Sequence, residues 1–429
     1  GVRWEMQQIY DYRGNQALSI NDNIAPRVGV VYDPTNEGRS KAFAHFGRFY
    51  ESIPMTLANR GFGGEGAVAS VRLCDPGVTD WTQCTLDPTL VFPITGEMLK
   101  VQDGLKGSYN DEVVAGGQYQ ILPDLVVGVS FIYRWLGRAI EDMASPSGQG
   151  PGLLANPGGE AVTPERLLQL EQNAAQNPTP ENQKALEQAY IAAQPKPTRT
   201  YKAVQLQVAK RFVRRLFVTG SYTYSSLRGN YPGLYAADND QRDPNLSTQY
   251  DVRGIMVNRD GPLPNDRPHL IRLDGYYVFP FGRSNLTTGL SFVGRSGQPL
   301  NALGKYPGSD PLNSFILPRG SMGRTPFVTQ FDLHLGYRRS LGPKMSAEAF
   351  VDVFNVFDQR AVLAQDQEYT VDRVLPGRDI NTAVRIAPNG EPATDINGNP
   401  VPATKNPNYL MPTAYQAPIA GRMGVRVSF

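Results

Sequence analysis

Strict alternation of apolar and polar residues runs through segments close to the roughly 9 to 11 residues that a tilted strand needs to cross a membrane. Over 125–135, Val127, Val129, Phe131, Tyr133 and Trp135 share one face, and Gly128, Ser130 and Arg134 share the other. Over 325–338, Phe327, Thr329, Phe331, Leu333, Leu335 and Tyr337 oppose Gln330, Asp332, His334 and Arg338. The last segment sets Ile419, Gly421, Met423, Val425, Val427 and Phe429 against Arg422, Arg426 and Ser428. About twelve such segments are expected, at 2–9, 25–33, 41–50, 112–122, 125–136, 200–211, 216–227, 269–279, 284–294, 325–338, 345–355 and 419–429.

The connections between them alternate in length. Short turns fall at 33–38, 122–124, 212–215, 280–283 and 340–344, whereas long connections begin after Tyr10, Tyr50, Leu136, Leu227, Gly294 and Asn355. Membrane barrels have short periplasmic turns and long outer loops, so the pattern predicts extracellular long loops and a periplasmic C-terminus. Tyr32, Phe279, Tyr337 and Phe429 then fall at the periplasmic ends, and Trp135, Tyr224 and Phe327 near the outer ends, as two aromatic girdles. The expected fold is an all-β antiparallel transmembrane barrel, with outer-membrane lipid as its surroundings. A soluble β-sandwich would need apolar inner faces on two packed sheets and no lipid-facing belt.

One long connection, 139–198, departs from the β pattern. Thr163-Pro164-Glu165 and Thr179-Pro180-Glu181 each supply a capping threonine, a proline at the first helical position and an early acid, which predicts two short helices. Leu167, Leu168 and Leu170, then Leu186, Ala189 and Tyr190, give them apolar faces for local packing.

Composition agrees without deciding. The 429 residues include 43 Gly and 35 Pro, frequent turn formers, and no apolar run long enough for a membrane helix. Net charge is +2, from 42 basic and 40 acidic residues mixed along the chain, so nucleic acid is not an expected partner. Cys74 and Cys84 are the only cysteines and lie in a polar stretch, where an oxidising compartment favours a local disulfide.

At 350–358 the chain reads Phe-Val-Asp-Val-Phe-Asn-Val-Phe-Asp, which resembles a stretch near the C-terminus of TonB-dependent receptors. The alternating final strand ending in Phe429 is similar to the assembly signal of the same proteins. Further likenesses at 25–33, 266–269, 294–299 and 319–326 resemble the Oar-like branch, which carries a carboxypeptidase-regulatory-like domain. The resemblance implies the C-terminal portion of a barrel of about 22 strands filled by an N-terminal plug. It also implies energy from the TonB complex through plug and TonB box, neither of which is recognisable here, contact with the outer-membrane assembly machinery, and a transported ligand. An outer-membrane barrel that displays surface loops for structure or adhesion is the alternative.

Candidate chemistry is sparse. His45, His269 and His334 are the only histidines and lack metal-ligand spacing, so neither an enzyme nor a cofactor is expected. The segment 61–66 is rich in glycine but lacks the lysine and strand-to-helix setting of a phosphate loop. Asp238, Asp240 and Asp243 concentrate oxygen ligands that could hold calcium, without the complete pattern of a helix-loop-helix calcium site. Asp266 and Arg267 could pair at the lumen rim or order the turn into the next strand, and Tyr231 and Tyr235, as exposed aromatics, are candidate ligand contacts.

Overall fold

The computed structural model describes residues 1–63, 67–73, 84–94, 99–146, 152–159, 161–235, 238, 249–250, 254–306, 313–377, 379–387 and 390–429. Twelve antiparallel strands form one meander: β1 Val2–Tyr10, β2 Gln16–Tyr32, β3 Ser40–Glu51, β4 Ser108–Leu122, β5 Leu125–Arg138, β6 Arg199–Val213, β7 Leu216–Gly229, β8 His269–Phe281, β9 Ser284–Arg295, β10 Val328–Ser340, β11 Ser346–Phe354 and β12 Ala420–Ser428. Each pairs only with its sequence neighbours, save a two-residue strand, Gly261–Pro262, that adds to β7. All twelve expected segments are present, and β1 and β12 do not pair with each other among the described residues.

The register keeps the two faces distinct across strands. Val129 lies opposite Leu206, which lies opposite Tyr222, while on the other face Ser130 meets Gln205 and Gln205 meets Thr223. Leu290 meets Leu333 and Leu333 meets Val353 on the apolar face, and His334 meets Asp352, itself opposite Arg422, on the polar one. A slip by one residue in any strand would exchange these sets. The apolar side chains are not covered by protein: Phe131, Leu206, Leu335 and Met423 are all exposed.

Tight turns join the strands at one end. Between β6 and β7 the two central residues, Arg214 and Arg215, both have positive φ (53° and 70°), the conformation that matches the twist of paired strands. The first connection at the opposite end differs from expectation. It is a five-residue turn over 11–15, not a long loop, because β2 starts at Gln16. The Asp11 carboxylate accepts the backbone N–H groups of Arg13 (2.9 Å) and Asn15 (2.8 Å), and Gly14 supplies φ 83°. The extra length of β2 carries Leu18 and Ile20 into a buried cluster with Ile9, Leu57, Phe62, Ile140 and Leu154.

Helices α1 Met55–Phe62, α2 Pro164–Gln176 and α3 Pro180–Ala193 lie in the long connections. The last two begin where the threonines predict: Thr163 accepts from the Arg166 N–H (3.2 Å) and Thr179 from the Asn182 N–H (3.3 Å). Leu167, Leu170, Leu186 and Tyr190 join a core with Met143, Leu153 and Tyr250, whereas Leu168, expected on the apolar face, is exposed. Helix α1 and several short strand pairs in the connections, such as Leu99–Val101 beside Gly152–Ala155, were not visible as periodic segments. No helix is long and apolar enough to cross a membrane among the described residues.

Candidate ligand-facing rim and lumen wall

The polar face of the sheet is a ladder of paired side chains. Alternation places Asp352, His334 and Arg422 side by side on three strands, where Asp352 accepts from His334 Nδ1 (2.6 Å) and from Arg422 Nε and Nη2 (2.9 and 2.7 Å). Arg426 stands 3.6 Å from Glu348, Ser291 donates to Asp274 at 2.6 Å, and Arg134 donates to Glu112, near which His45 lies at 3.9 Å. With carboxylates neutralised by arginine or hydrogen-bonded by hydroxyl donors, this wall is wettable. It can face water or a polar insert.

Asn355 ends β11 in a left-handed conformation, φ 50°. Its N–H donates to Asp332 (2.8 Å), its side-chain amide donates to the carbonyls of Gln359 (2.9 Å) and Ala417 (2.8 Å), and its carbonyl oxygen accepts from the Gln359 N–H (3.0 Å). One asparagine thus ties β10, β11 and the approach to β12 together. Asn tolerates left-handed φ better than most residues and carries both donor and acceptor, which explains its place in the Phe-Asn-Val-Phe stretch.

Beyond the strands, the long connections build a rim with buried polar anchors. Arg319 is buried against the Phe315 ring (4.7 Å), with Arg259 also over that ring (5.1 Å), and donates to Asp238 at 2.7 Å. Desolvation lowers the Arg319 pKa, while Asp238 opposes that shift. Asn258, at φ 63°, donates its side-chain amide to the carbonyls of Phe315, Ile316 and Gly377. Asn301 donates to Asp238 (3.0 Å) and Gln367 (2.8 Å) and accepts from the Gly320 N–H (2.7 Å).

The expected site residues separate into different environments. Tyr231 is 1% exposed, packed with Leu136 and Ala139 and bonded to Glu141, and burial raises its pKa well above the usual value. It is a core residue, which corrects its assignment as an exposed contact; the chain after β7 brings it against Leu136 and Ala139 at the end of β5. Tyr235 is 54% exposed and keeps the surface position expected of it. Asp266 pairs with Arg324, not with Arg267, and accepts the Leu227 N–H at 2.6 Å. Arg267 instead donates to the carbonyls of Pro264 (2.8 Å) and Asp266 (2.9 Å), and burial with Arg295 and Arg324 nearby lowers its pKa to about 10. These contacts order the turn into β8.

Both Asp238 oxygens are engaged by protein donors, and Asp240 and Asp243 lie outside the described residues. Among the described residues no cluster of three His, Cys, Asp or Glu suited to a metal occurs. Cys84 is buried and disulfide-bonded, and Cys74 lies outside the described residues. Phe429 follows β12 and is fully exposed.

The sequence reading did not single out the Asp238–Arg319 pair, the Asn258 and Asn301 hubs or the Asp266–Arg324 pair. No spacing announces them, since their partners are 19 to 119 residues apart. The lumen pairs could have been found, because the alternation sets His334, Asp352 and Arg422 on one face.

Comparison with known proteins places these features in a family. The whole chain is 29% identical over 469 aligned positions to the TonB-dependent transporter Oar of Myxococcus xanthus, and it spans 41% of that relative's length. Among solved structures, the outer-membrane transporter YddB of Escherichia coli aligns over 85% of this chain and 40% of its own, at 13% identity and a TM-score of 0.45. The siderophore receptor PiuA of Acinetobacter baumannii aligns over 84% of this chain and 36% of its own, at 10% identity and a TM-score of 0.44. Residues 7–296 match the family described as outer membrane beta barrel domain. The chain, with its meander of alternating strands bearing an apolar outer face, belongs to the outer-membrane β-barrel domain family.

Proposed function

We propose that this chain is the C-terminal part of the barrel of a TonB-dependent receptor, which in its full-length form moves a scarce ligand across the outer membrane. The observation that carries the reading is the similarity of the whole chain to a TonB-dependent transporter of which it spans 41%. It is supported by a sheet whose first and last strands each keep one edge unpaired among the described residues, since a barrel in lipid must satisfy every strand edge. Further strands of the parent, to about 22 in all, would close it. A plug would then rest on the polar wall and contact the TonB complex.

The long connections, including the helical hairpin of 139–198, are extracellular in this reading, and the C-terminus is periplasmic. Tyr235 is the candidate ligand contact that keeps its place, and Asp240 and Asp243 remain candidate calcium ligands. Leu73 lies opposite Thr85, and Cys84 immediately precedes Thr85 in the chain as Cys74 follows Leu73; Cys74 is proposed as the disulfide partner of Cys84, and peptide mass spectrometry without reduction is expected to recover them joined. Phe429 is proposed to act in recognition by the outer-membrane assembly machinery, and its deletion from the full-length parent is expected to lower the heat-modifiable membrane fraction more than a deletion within 392–407.

The central test measures uptake of radioactive ferric chelates, labelled cobalamin and labelled oligosaccharides in cells with the full-length protein, with TonB removed, and without the protein. Uptake of one of them that needs both the protein and TonB is the expected result. Uptake independent of TonB for all of them, together with loss of cell attachment on deleting the hairpin, would replace the receptor with a display barrel.

A further inference from the structure

The apolar face of the sheet is not uniform where the strands meet the rim. On β3 to β7 its last positions are Arg48, Tyr50, Tyr109, Asp111, Tyr133, Trp135, Arg138, Lys202, Ser226 and Arg228 by register. Arg48, Asp111, Trp135, Thr200 and Arg228 stand in one continuous row, each opposite the next. Four cations therefore gather on one band, and Asp111 is the only carboxylate among these positions. Asp111 is already held by Arg48 in a two-point pair, at 2.8 and 2.9 Å.

Aromatic rings position the cations. The Tyr109 ring lies between two guanidinium groups, with Arg48 at 3.9 Å and Arg138 at 5.2 Å, and Tyr50 packs beside it at 5.6 Å. Arg138 reaches this face because β5 has a bulge there, with Leu136 opposite Asn110 and Arg138 opposite Tyr109. Gly137 sits in the bulge, and a Cβ on it would run into the Tyr109 ring. Lys202 lies over Tyr133 at 5.6 Å, and Tyr133 stacks with Trp135 at 4.9 Å. Lys202 and Arg228 are exposed.

The same band on β9 and β10, continued by the connection after β11, is aromatic and uncharged: Phe292 packs on Phe331 at 4.5 Å, and Phe331 on Phe357 at 5.1 Å. At the turn end of the sheet, Lys210 is neutralised by Asp124. At the long-loop end the excess of cation thus lies on β3 to β7, while at the turn end Arg339 of β10 also faces outward by register. Rings and guanidinium stems suit the boundary between hydrocarbon and headgroups, and cations at that depth attract anionic headgroups.

We infer that the outward-facing band of Arg138, Lys202 and Arg228, bordered by the Arg48–Asp111 pair, binds the phosphates of an anionic, phosphorylated lipid of the outer leaflet, fixing one side of the barrel against a bound lipid shell. Arg138 and Lys202 offer donors above aromatic supports, and Arg228 completes the row. The inference rests on the reading that the long loops are extracellular.

The test titrates purified full-length protein in detergent with phosphorylated lipid A, with the same lipid after enzymatic removal of its phosphates, and with phosphatidylglycerol. Each interfacial cation contributes about fivefold in affinity, so Lys202→Gln with Arg228→Gln is expected to weaken phosphorylated lipid A binding roughly 25-fold. The expected pattern is little binding of dephosphorylated lipid and no effect of Lys210→Gln. Heat-modifiability of each variant reports that the barrel is folded. Equal binding of the two forms of lipid A, or an unchanged affinity in the double variant, would overturn the inference, as would preferential binding of phosphatidylglycerol. Orientation is read separately by labelling Asn177→Cys with an impermeant maleimide on intact cells. Labelled cells without phosphate-dependent binding would sink the lipid site alone, and unlabelled cells would sink the orientation beneath it.

Discussion

The strand wall and the rim of long connections obey opposite rules of burial. In the wall, large apolar side chains point outward and stay exposed, as Phe131, Leu335 and Met423 do, while charged residues such as Asp352 and Arg422 pair on the inner face. In the rim, apolar residues are enclosed in separate cores, one holding Ile20 and Leu154, one Tyr250 and one Ile316, and charges such as Arg319 are buried with partners. The wall borrows its hydrophobic surroundings from the bilayer, whereas the rim must build its own in water. The difference teaches that this chain is two kinds of protein, threaded alternately by one backbone.

The largest effect is expected in the rim. Asp238→Ala leaves Arg319 without its carboxylate in an enclosed site, a loss of about 3 to 5 kcal/mol by analogy with broken buried pairs. Hydrogen exchange over 313–319 should accelerate strongly while heat-modifiability of the barrel persists. A variant whose barrel also fails to assemble would contradict the independence of the two regions.

Next comes the wall, where neighbouring positions of β5 test its two faces. Phe131→Arg places a charge in the apolar belt and should cost about 2 to 4 kcal/mol, whereas Ser130→Arg on the inner face should cost clearly less. Folding titrations into bilayers measure both. Equal penalties would mean that the bilayer does not supply the burial assigned to it.

The smallest effect sharpens the boundary between the regions. Thr163→Ala removes the hydroxyl that caps α2 and should cost about 1 kcal/mol, read as faster exchange in that helix alone. Transmission of that loss to α3 and Tyr190 would measure how tightly the hairpin core couples its helices. Any change in strand protection would again argue against separate regions.

The wall was legible because a strand between water and lipid writes its environment into every second residue, as in 125–135 and 419–429. The helices were legible from Thr163-Pro164 and Thr179-Pro180, whose capping chemistry is local. The rim was not. Its strands, such as the three residues of Leu99–Val101, are too brief to display a period, and that strand pairs in parallel with Gly152–Ala155 far along the chain. Tyr231 reads as an exposed loop aromatic until the packing of Leu136 and Ala139 against it is known. Asp266 reads as a partner for its neighbour Arg267 until Arg324 arrives from a distant segment.

The amino-acid sequence by itself therefore determined the number of wall strands, their faces, the order of the meander, five tight turns and the starts of α2 and α3. All of these depend on interactions within a few residues or on the uniform demand of the bilayer. Only the tertiary structure decided the length of the first hairpin, the anchors Asn258, Asn301 and Asp238, and the bulge that turns Arg138 outward. Each of these depends on which distant residue fills a particular space, and neither periodicity nor composition encodes that choice.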